Sequence, residues 1–382
     1  MGRVTIREVA ERAGVSPATV SRVLTGNYPV PAATRIRVLR AARALDYVAN
    51  PHARALVGGG RKMVAVVLRQ VTSPFYAQVV EGVEAEAAAN GWLCLVGSTG
   101  GNPQRELDFV QLMREEGARV VVLVGGVVED DAYRRRIAQY AHALDAAGSR
   151  LVLCGRPSPD PQLPVLVIGF DNEAGARAVT SHLLSAGHRH IVFLGGLHGN
   201  TALDARVAGY RGALAAHGLS PEAAHVVNCG LGREAGRRAM AELLASGHEF
   251  TAVVAGDDMV AAGALRAIGA AGLRVPDDMS VVGYNDIPLS QDFDPPLTTV
   301  RTPAEELGRA SVRLALRDPD ETPGTFHVLG THIVVRDSVG PPPLLRAPRA
   351  GGRPADTPHS HPSAATALAP IGTRATGGPT PL

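Results

Sequence analysis

The sequence predicts three parts: a small all-α segment at the N-terminus, a larger α/β body of two doubly wound lobes with parallel sheets, and a disordered C-terminal tail. Residues 1–57 are rich in arginine and have helical periodicity but no strand-like run. From about residue 63 to 339, short Val, Ile and Leu runs alternate with alanine-rich amphipathic stretches, which is typical of strands covered by helices on both faces. Beyond residue 340, Pro, Gly, Ala and Thr dominate without periodicity, so this part cannot bury a core.

Ten apolar runs predict the strands of the body. This number of strands is at the upper limit for one twisted open sheet, so we expect two lobes, each with its own sheet. The runs lie at residues 64–68, 93–96, 120–124, 151–153, 165–168, 191–194, 226–227, 252–254, 281–282 and 333–335.

Length and composition favour a multidomain protein of the cytoplasm. A chain of 382 residues is long enough for two or three domains. No stretch approaches the ~18 consecutive apolar residues of a membrane span, and the N-terminus lacks an apolar signal segment. Cys94, Cys154 and Cys229 form no Cys-x-x-Cys pair. We therefore expect buried thiols, no metal site, no cofactor and no membrane partner.

The net charge of +2 hides a strong asymmetry along the chain. Residues 1–60 contain nine arginines and three acidic residues, a net charge of +6, whereas the remaining 322 residues carry 29 basic and 33 acidic side chains, a net charge of −4. This pattern indicates a small module that binds phosphates. A solvated basic helix face would explain the charge alone equally well.

The N-terminal segment has the signals of two short helices joined by a tight turn. Thr5 and Glu8 have the spacing of a capping box, and Gly14 can end the first helix in the left-handed conformation. Ser16 followed by Pro17 then begins a second helix. This is the helix-turn-helix pattern, in which the second helix enters the major groove of DNA.

The exposed face of the second helix is expected to combine small hydroxyl groups with one arginine. Ser16, Thr19 and Ser21 suit phosphate contacts, whereas Arg22 suits bidentate pairing with guanine. A third helix, at about residues 32–45, is expected to bury Ile36, Leu39, Ala42 and Leu45 and to expose its arginines. An ordinary helical hairpin remains an alternative on this pattern alone.

A long and specific motif covers residues 4–24 and continues through Thr34-Arg35, Leu45-Asp46-Tyr47 and Asn50-Pro51. It closely resembles the headpiece of the lactose-repressor (LacI/GalR) family. The resemblance extends to about residue 338 and implies a ligand-responsive transcriptional regulator, usually a repressor, that binds a pseudo-palindromic double-stranded operator as a homodimer. It implies a headpiece at 1–50, a hinge helix and linker at 51–61, a two-lobed ligand-binding and dimerisation domain at 62–339, and a tail at 340–382.

The resemblance assigns DNA contacts to twelve positions: Thr5, Ser16, Pro17, Ala18, Thr19, Ser21, Arg22, Thr34, Tyr47, Asn50, Ala53 and Leu56. Where the family often has polar base-reading side chains, Pro17 and Ala18 can touch a thymine methyl group but cannot hydrogen-bond a base. Direct base recognition is therefore expected to depend on Arg22.

Residues 51–57 match the segment that forms a hinge helix in that family only on operator DNA. Seven residues are too few for a stable isolated helix, so its folding should be coupled to binding. The leucine matching Leu56 wedges into the minor groove in the family, and an apolar wedge can kink a duplex. An ordinary linker leucine is the alternative.

The body resembles the two-lobed periplasmic-binding-protein-like (type I) core of the same family, in which the chain crosses between the lobes three times and a ligand lies in the cleft. The resemblance places six side chains there: Ser73, Phe75, Tyr76, Arg206, Asp257 and Asn285. A turn with two core aromatics would explain Phe75 and Tyr76 equally well. A lone arginine such as Arg206 would more often be a solvated helix residue, so its assignment depends on the resemblance.

Two cleft positions depart from the family pattern. Asp257 stands where asparagine is usual, and Asn285 stands where sugar-binding members often carry an aspartate. An amide can donate and accept hydrogen bonds but brings no charge. A small effector, such as a sugar or related metabolite, is expected, but the sequence does not identify it or the sign of its effect.

The competing hypothesis is a solute-binding protein or an enzyme whose basic N-terminus does not read DNA. The sequence has no phosphate-loop lysine, no Gly-x-Ser-x-Gly elbow and no His-Glu-x-x-His motif. Gly230-Leu231-Gly232 resembles part of a dinucleotide fingerprint, but a lone match more often marks an ordinary strand-to-helix turn. We therefore expect no catalytic site. We also expect dimers, because the tail lacks the leucine heptads that would build a helical tetramer.

Overall fold

The computed structural model describes residues 4–25, 28–47, 61–196, 198–317 and 326–343. Three helices form the N-terminal headpiece: α1 (Ile6–Ala13), α2 (Pro17–Thr25) and α3 (Ala32–Ala44). Val9, Val20 and Val38 are fully buried where these helices meet. The predicted helix-turn-helix is therefore present, and a third helix completes its core.

The first two helices begin and end as the sequence predicts. The Glu8 carboxylate accepts hydrogen bonds from the backbone N–H of Thr5 at 2.6 Å and from its hydroxyl at 2.9 Å. Gly14 has φ +64°, a left-handed conformation that glycine adopts at little cost, and this ends α1. Ser16 Oγ accepts from the backbone N–H of Thr19 at 3.2 Å and so caps α2.

The inward face of α3 differs from the predicted one. Ile36 was expected in the core but is 57% exposed, whereas Val38 and Ala41 are buried. Ala42 is buried as expected, and Leu39 and Leu45 pack partly buried against the core, so only Ile36 was assigned wrongly. Arg35, Arg37, Arg40 and Arg43 are exposed, as expected.

Within the described residues, twelve strands form two six-stranded sheets, one in each lobe. The first sheet has the order β11-β5-β4-β3-β1-β2, and the second has the order β12-β10-β9-β8-β6-β7. The first sheet consists of β1 (Arg61–Leu68), β2 (Leu93–Ser98), β3 (Ala118–Val124), β4 (Arg150–Cys154), β5 (Val165–Phe170) and β11 (Phe326–Leu329). The second consists of β6 (Ile191–Gly196), β7 (His225–Asn228), β8 (Ala252–Ala255), β9 (Ser280–Asn285), β10 (Thr298–Arg301) and β12 (His332–Val334).

Helices cover both faces of each sheet, so the two doubly wound lobes are confirmed. The first lobe carries α4 (Pro74–Ala89), α5 (Pro103–Glu115), α6 (Asp131–Ala146) and α11 (Ala304–Ala315). The second carries α7 (Asn172–Ser185), α8 (Thr201–Ala216), α9 (Arg233–Ala245) and α10 (Asp258–Ala270). The chain passes between the lobes after β5, after β10 and between β11 and β12, which gives the three expected crossings.

Two features of the sheets were not predicted. Strands β10 and β11 were missed because β10 is largely polar and β11 is a short edge strand with exposed Phe326 and Val328. Strand β12 pairs with β10 in the antiparallel direction, so the second sheet is not wholly parallel. An antiparallel edge strand on an otherwise parallel sheet is a common arrangement.

Close helix packing depends on glycine where α4 meets α11. A Cβ atom on Gly82 would collide with the carbonyl oxygen of Glu305, and one on Gly308 would collide with that of Val79. Each glycine therefore lets the backbone of the facing helix approach directly. This packing fixes α4, which begins at the cleft described below, against the helix that follows the second crossing.

Two smaller expectations need correction. Cys154 is buried, but Cys94 and Cys229 are only half-buried. The tail was expected to begin at Gly340, yet the Gly340 carbonyl lies 2.9 Å from Nε2 of the buried His188, so the packed body includes this residue. Residues 344–382 lie outside the described part of the chain. Among the described residues, no helix has the length and apolar character needed to cross a bilayer, and no three side chains of metal-binding type are grouped together.

Candidate nucleic-acid interface and ligand cleft

The headpiece presents a concave surface beside the start of α2. It has a volume of about 490 Å³ and brings together four of the predicted DNA-binding residues, Ser16, Thr19, Arg22 and Thr34. Tyr28, which is not among the predicted DNA-binding residues, also lines it and is 65% exposed. The hydroxyl groups and the guanidinium of this surface therefore lie where an external partner can reach them.

Arg22 lies next to the Tyr28 ring. The centre of its guanidinium is 5.7 Å from the ring centroid, which is within the range of a cation–π interaction. This contact limits the directions in which the long side chain can extend. The planar set of donors of an arginine suits a base edge or a phosphate.

The other predicted DNA-binding residues differ in their surroundings. Thr5, Pro17 and Ala18 are exposed, and Ser21 is half-buried. Tyr47 is half-buried and packs against the headpiece core, so its ring has a structural contact as well. Asn50, Ala53 and Leu56, together with the expected hinge helix, lie outside the described residues.

The body contains a cavity of about 580 Å³ between the two lobes. It lies at the carboxyl ends of the parallel strands, where open α/β sheets generally bind their ligands. All six predicted cleft residues line it: Ser73, Phe75, Tyr76, Arg206, Asp257 and Asn285. Further lining residues that were not predicted as ligand contacts include Arg69, Phe170, Asn172 and Asn200.

Arg206 is held rigidly in the wall of the second lobe. It is only 6% exposed, its Nε donates to Asn172 Oδ1 at 2.8 Å, and its Nη1 donates to the Gly256 carbonyl at 2.6 Å. Its guanidinium also lies 3.8 Å from the centroid of the Tyr284 ring. The alternative of a solvated helix arginine is therefore wrong.

Asn285 and Asp257 complete this wall. Nη2 of Arg206 lies 3.5 Å from Asn285 Oδ1, and Asn285 has φ +110°, which is rare for a residue with a side chain. Such strained backbone clusters at binding sites. Asp257 Oδ1 accepts from the backbone N–H of Val260 at 2.7 Å, and burial raises the pKa of Asp257 while this hydrogen bond and Arg206 oppose the rise.

Aromatic side chains form the wall of the first lobe. The Phe75 centroid lies 5.6 Å from that of Tyr76 and 6.0 Å from that of Phe170, both in edge-to-face arrangements. Phe75 and Tyr76 also pack against the core of this lobe, so they belong both to the core and to the cleft. Burial raises the pKa of Tyr76, and the nearby guanidinium groups of Arg69, Arg156 and Arg206 oppose this rise.

The lobes touch directly at one side of the cavity. The Thr201 backbone N–H donates to the Val127 carbonyl at 2.9 Å, and the Val127 N–H donates to Thr201 Oγ1 at 3.2 Å. These bonds link the loop after β3 to the start of α8. The two lobes are thus joined directly at this side of the cavity.

Comparison with known proteins finds matches both for the headpiece and for the body that contains the cleft. A family model for bacterial regulatory proteins of the lacI family matches residues 5–50, and a model for the periplasmic binding protein-like domain matches residues 180–339. The HTH-type transcriptional regulator CelR of Thermobifida fusca is 35% identical over an alignment of 345 residues, which covers 88% of this chain and 98% of CelR.

Solved structures agree with this match over most of the chain. A lac repressor dimer bound to operator and the anti-inducer ONPF has a TM-score of 0.76 at 28% identity, covering 89% of this chain and 100% of that chain. A complex of CelR with cellobiose has a TM-score of 0.63 at 33% identity, covering 88% and 100%. The chain belongs to the lacI family of bacterial regulatory proteins, and it is a ligand-responsive DNA-binding transcriptional regulator rather than an enzyme.

Proposed function

We propose that the protein acts in the cytoplasm as a repressor and binds a pseudo-palindromic operator as a homodimer, under the control of a small effector in the inter-lobe cleft. The observation that carries this proposal is that one chain contains both a DNA-binding surface in the headpiece and a ligand cavity between the lobes. An exposed helix-turn-helix surface with Arg22 precedes an enclosed, polar and aromatic cavity that contains Arg206. The similar lac repressor is a dimer bound to operator and anti-inducer.

In this proposal, α2 lies in the major groove of each half-site. Arg22 pairs with a guanine edge, and Pro17 and Ala18 supply apolar contacts such as those made to a thymine methyl group. Thr5, Ser16, Thr19, Ser21, Thr34, Tyr47 and Asn50 contact or position the phosphate backbone. Ala53 and Leu56 extend the contact into the minor groove at the centre of the site, where Leu56 acts as a wedge.

A homodimer matches the two-fold symmetry of such a site. We assign part of its interface to the edge strand β2, where Leu93 is 73% exposed, Leu95 is 43% exposed and Val96 is 40% exposed. Adjacent exposed apolar side chains on an edge strand are unfavourable in a monomer, and a second copy would cover them. The similarity to a repressor dimer supports the choice of a second copy as the partner.

The six cleft side chains are proposed to bind a sugar-like effector. Phe75 and Tyr76 offer faces for a sugar ring, whereas Ser73, Arg206, Asp257 and Asn285 offer donors and acceptors for hydroxyl groups. The CelR–cellobiose complex supports this class of ligand. A ligand that contacts both lobes changes their relative arrangement and thereby the operator affinity.

Fluorescence anisotropy with DNA from upstream of the protein's own coding region tests the proposal. Full-length protein should bind a specific fragment in preference to a scrambled duplex of equal length, and binding should weaken steeply with salt. A chain that lacks residues 1–60 should lose all preference. Equal binding of both duplexes by the full-length protein would contradict the proposed operator recognition.

A further inference from the structure

We propose that the effector is an anion: a polyhydroxylated compound that carries a carboxylate or phosphate group, bound between Arg69 of the first lobe and Arg206 of the second. This inference rests on the proposed function, because it specifies the ligand class of the same cleft. It follows from the balance of charge around the cavity.

Among the residues that the structure describes, Arg206 forms no ion pair, although Asp257 and Asp258 act on its charge through space and the Tyr284 ring lies against its guanidinium. Its hydrogen-bond acceptors are the Asn172 amide, the Gly256 carbonyl and the Asn285 amide, all of which are uncharged. The side chain is nevertheless almost fully buried. Removing a charge from water is costly unless an opposite charge replaces the solvent, so this guanidinium favours an anionic ligand beside it.

Arg69 brings a second positive charge from the opposite wall. It directly follows β1, and its guanidinium lies over Gly101, where a Cβ atom would meet Nη1. Arg69 also lies close enough to Tyr76 to oppose the rise that burial causes in the pKa of that hydroxyl, as do Arg156 and Arg206. Arg156 pairs with Glu106, so Arg69 and Arg206 remain the cations that face the cavity.

Fewer acidic than basic side chains line the cavity. Asp257 is the one acidic side chain among the described residues that line the cavity. Its Oδ1 is occupied by the backbone N–H of Val260 at the start of α10, and burial disfavours its charged form. Two guanidinium groups therefore face one carboxylate, which leaves the cavity with a net positive charge.

Backbone dipoles increase this positive potential. Helices α4, α8 and α9 all begin at the cavity wall, and the amino end of a helix favours negative charge. The start of α9 is formed by Gly232, which offers no side-chain cap to its first backbone N–H groups. The Gly230 N–H already donates to the Gly196 carbonyl at 3.4 Å, so the contribution of this turn comes from the uncapped start of α9.

Calorimetric titration of the full-length protein with matched ligand pairs tests the inference. Each pair contains a neutral sugar and its acidic or phosphorylated form, for example glucose with glucuronate or glucose 6-phosphate, and cellobiose with cellobiuronate. At least one anionic form should bind about tenfold or more tightly than its neutral counterpart, as expected for charge-assisted hydrogen bonds. The uronate and phosphate members distinguish the two sources of charge.

Variants of Arg69 connect the effect to this side chain. Arg69→Gln should lower the ratio of anionic to neutral affinity about tenfold, whereas Arg69→Lys should retain part of the preference because it retains the charge. Arg114→Gln, an exposed change on α5, serves as the matched control and should bind like the wild type.

The outcomes separate this inference from the proposed function. Neutral sugars that bind as tightly as their anionic forms, or an unchanged preference in Arg69→Gln, would overturn the inference while the effector site stands. Failure of both members of every pair to bind would overturn the proposed sugar-like effector and this inference together.

Discussion

Asp258 is a buried carboxyl group whose ionisation should control the stability of the second lobe. Its side chain is fully buried; Oδ1 accepts from the Thr299 hydroxyl at 2.6 Å, and Oδ2 accepts from the Ile287 backbone N–H at 2.8 Å. Burial raises its pKa from 3.8 to about 7, although both hydrogen bonds oppose the rise. The folded protein therefore keeps a proton that the unfolded chain releases near pH 4.

The direction of the pH effect follows from this difference. The stabilisation from protonated Asp258 is complete below the unfolded-state pKa and is lost as the pH rises toward and through about 7. Between pH 5 and pH 8, this single group should lower the free energy of unfolding by about 1 to 3 kcal/mol. Most of the loss falls between pH 5 and pH 7.

Asp258→Asn should remove this dependence. The amide can accept from the Ile287 N–H through its oxygen and donate to Thr299 Oγ1, which can turn to accept. Relative to the wild type, the variant should gain about 1 to 3 kcal/mol in unfolding free energy between pH 5 and pH 8. Urea denaturation followed by circular dichroism at several pH values measures the gain. Asp292→Asn, at an exposed position, is the control. A wild-type-to-variant difference that stays constant with pH would refute the reasoning.

Three further predictions use matched or graded measurements. Val38→Ala should lower headpiece stability by about 1 to 3 kcal/mol because it leaves a cavity at a buried site, whereas Ile36→Ala should lower it by less than about 0.5 kcal/mol. Similar shifts of the two variants in thermal unfolding would contradict the assigned faces of α3. Arg22→Ala should cost ~1 to 3 kcal/mol of operator binding and relax specificity at one base pair per half-site, whereas an equal loss on all duplexes in anisotropy titrations would show a phosphate contact only. Gly308→Ala should destabilise the first lobe by about 1 to 3 kcal/mol through overpacking, whereas Gly269→Ala, in open space on α10, should stabilise by up to about 1 kcal/mol; equal signs in urea denaturation would contradict this packing.

The features that the sequence predicted well are encoded by neighbouring residues. Thr5 with Glu8, Gly14 and Ser16 with Pro17 each act within one turn of helix, so their spacing was sufficient to locate α1 and α2. Continuous apolar runs likewise located the buried strands. The six cleft residues could be predicted from the resemblance to the family. The rule that ligands bind at the carboxyl ends of parallel strands agrees with their grouping around one cavity.

The features that were missed depend on contacts between distant parts of the chain. Packing of α3 against α1 and α2 decides which of its apolar residues are buried, so the sequence pattern selected Ile36 and missed Val38. The antiparallel pairing of β12 arises only when it meets β10. The acceptors of Arg206 lie 34, 50 and 79 residues away, so their lack of charge could not be read from any local motif.

The cleft and the inter-lobe crossings share residues, which gives a physical basis for the response to effector. Asn285 lines the cavity with its side chain, while its carbonyl accepts from the Thr302 hydroxyl at 3.3 Å in the segment that crosses to the first lobe. That segment leads into α11, which packs without intervening side chains against α4 at Gly82 and Gly308. Helix α4 in turn begins at Ser73 on the opposite wall of the cavity. These contacts connect Asn285 to Ser73 through the crossing segment, α11 and α4. A ligand that moves Asn285 relative to Ser73 must therefore either strain these contacts or rotate one lobe against the other. Because the contacts are closely packed, rotation is favoured.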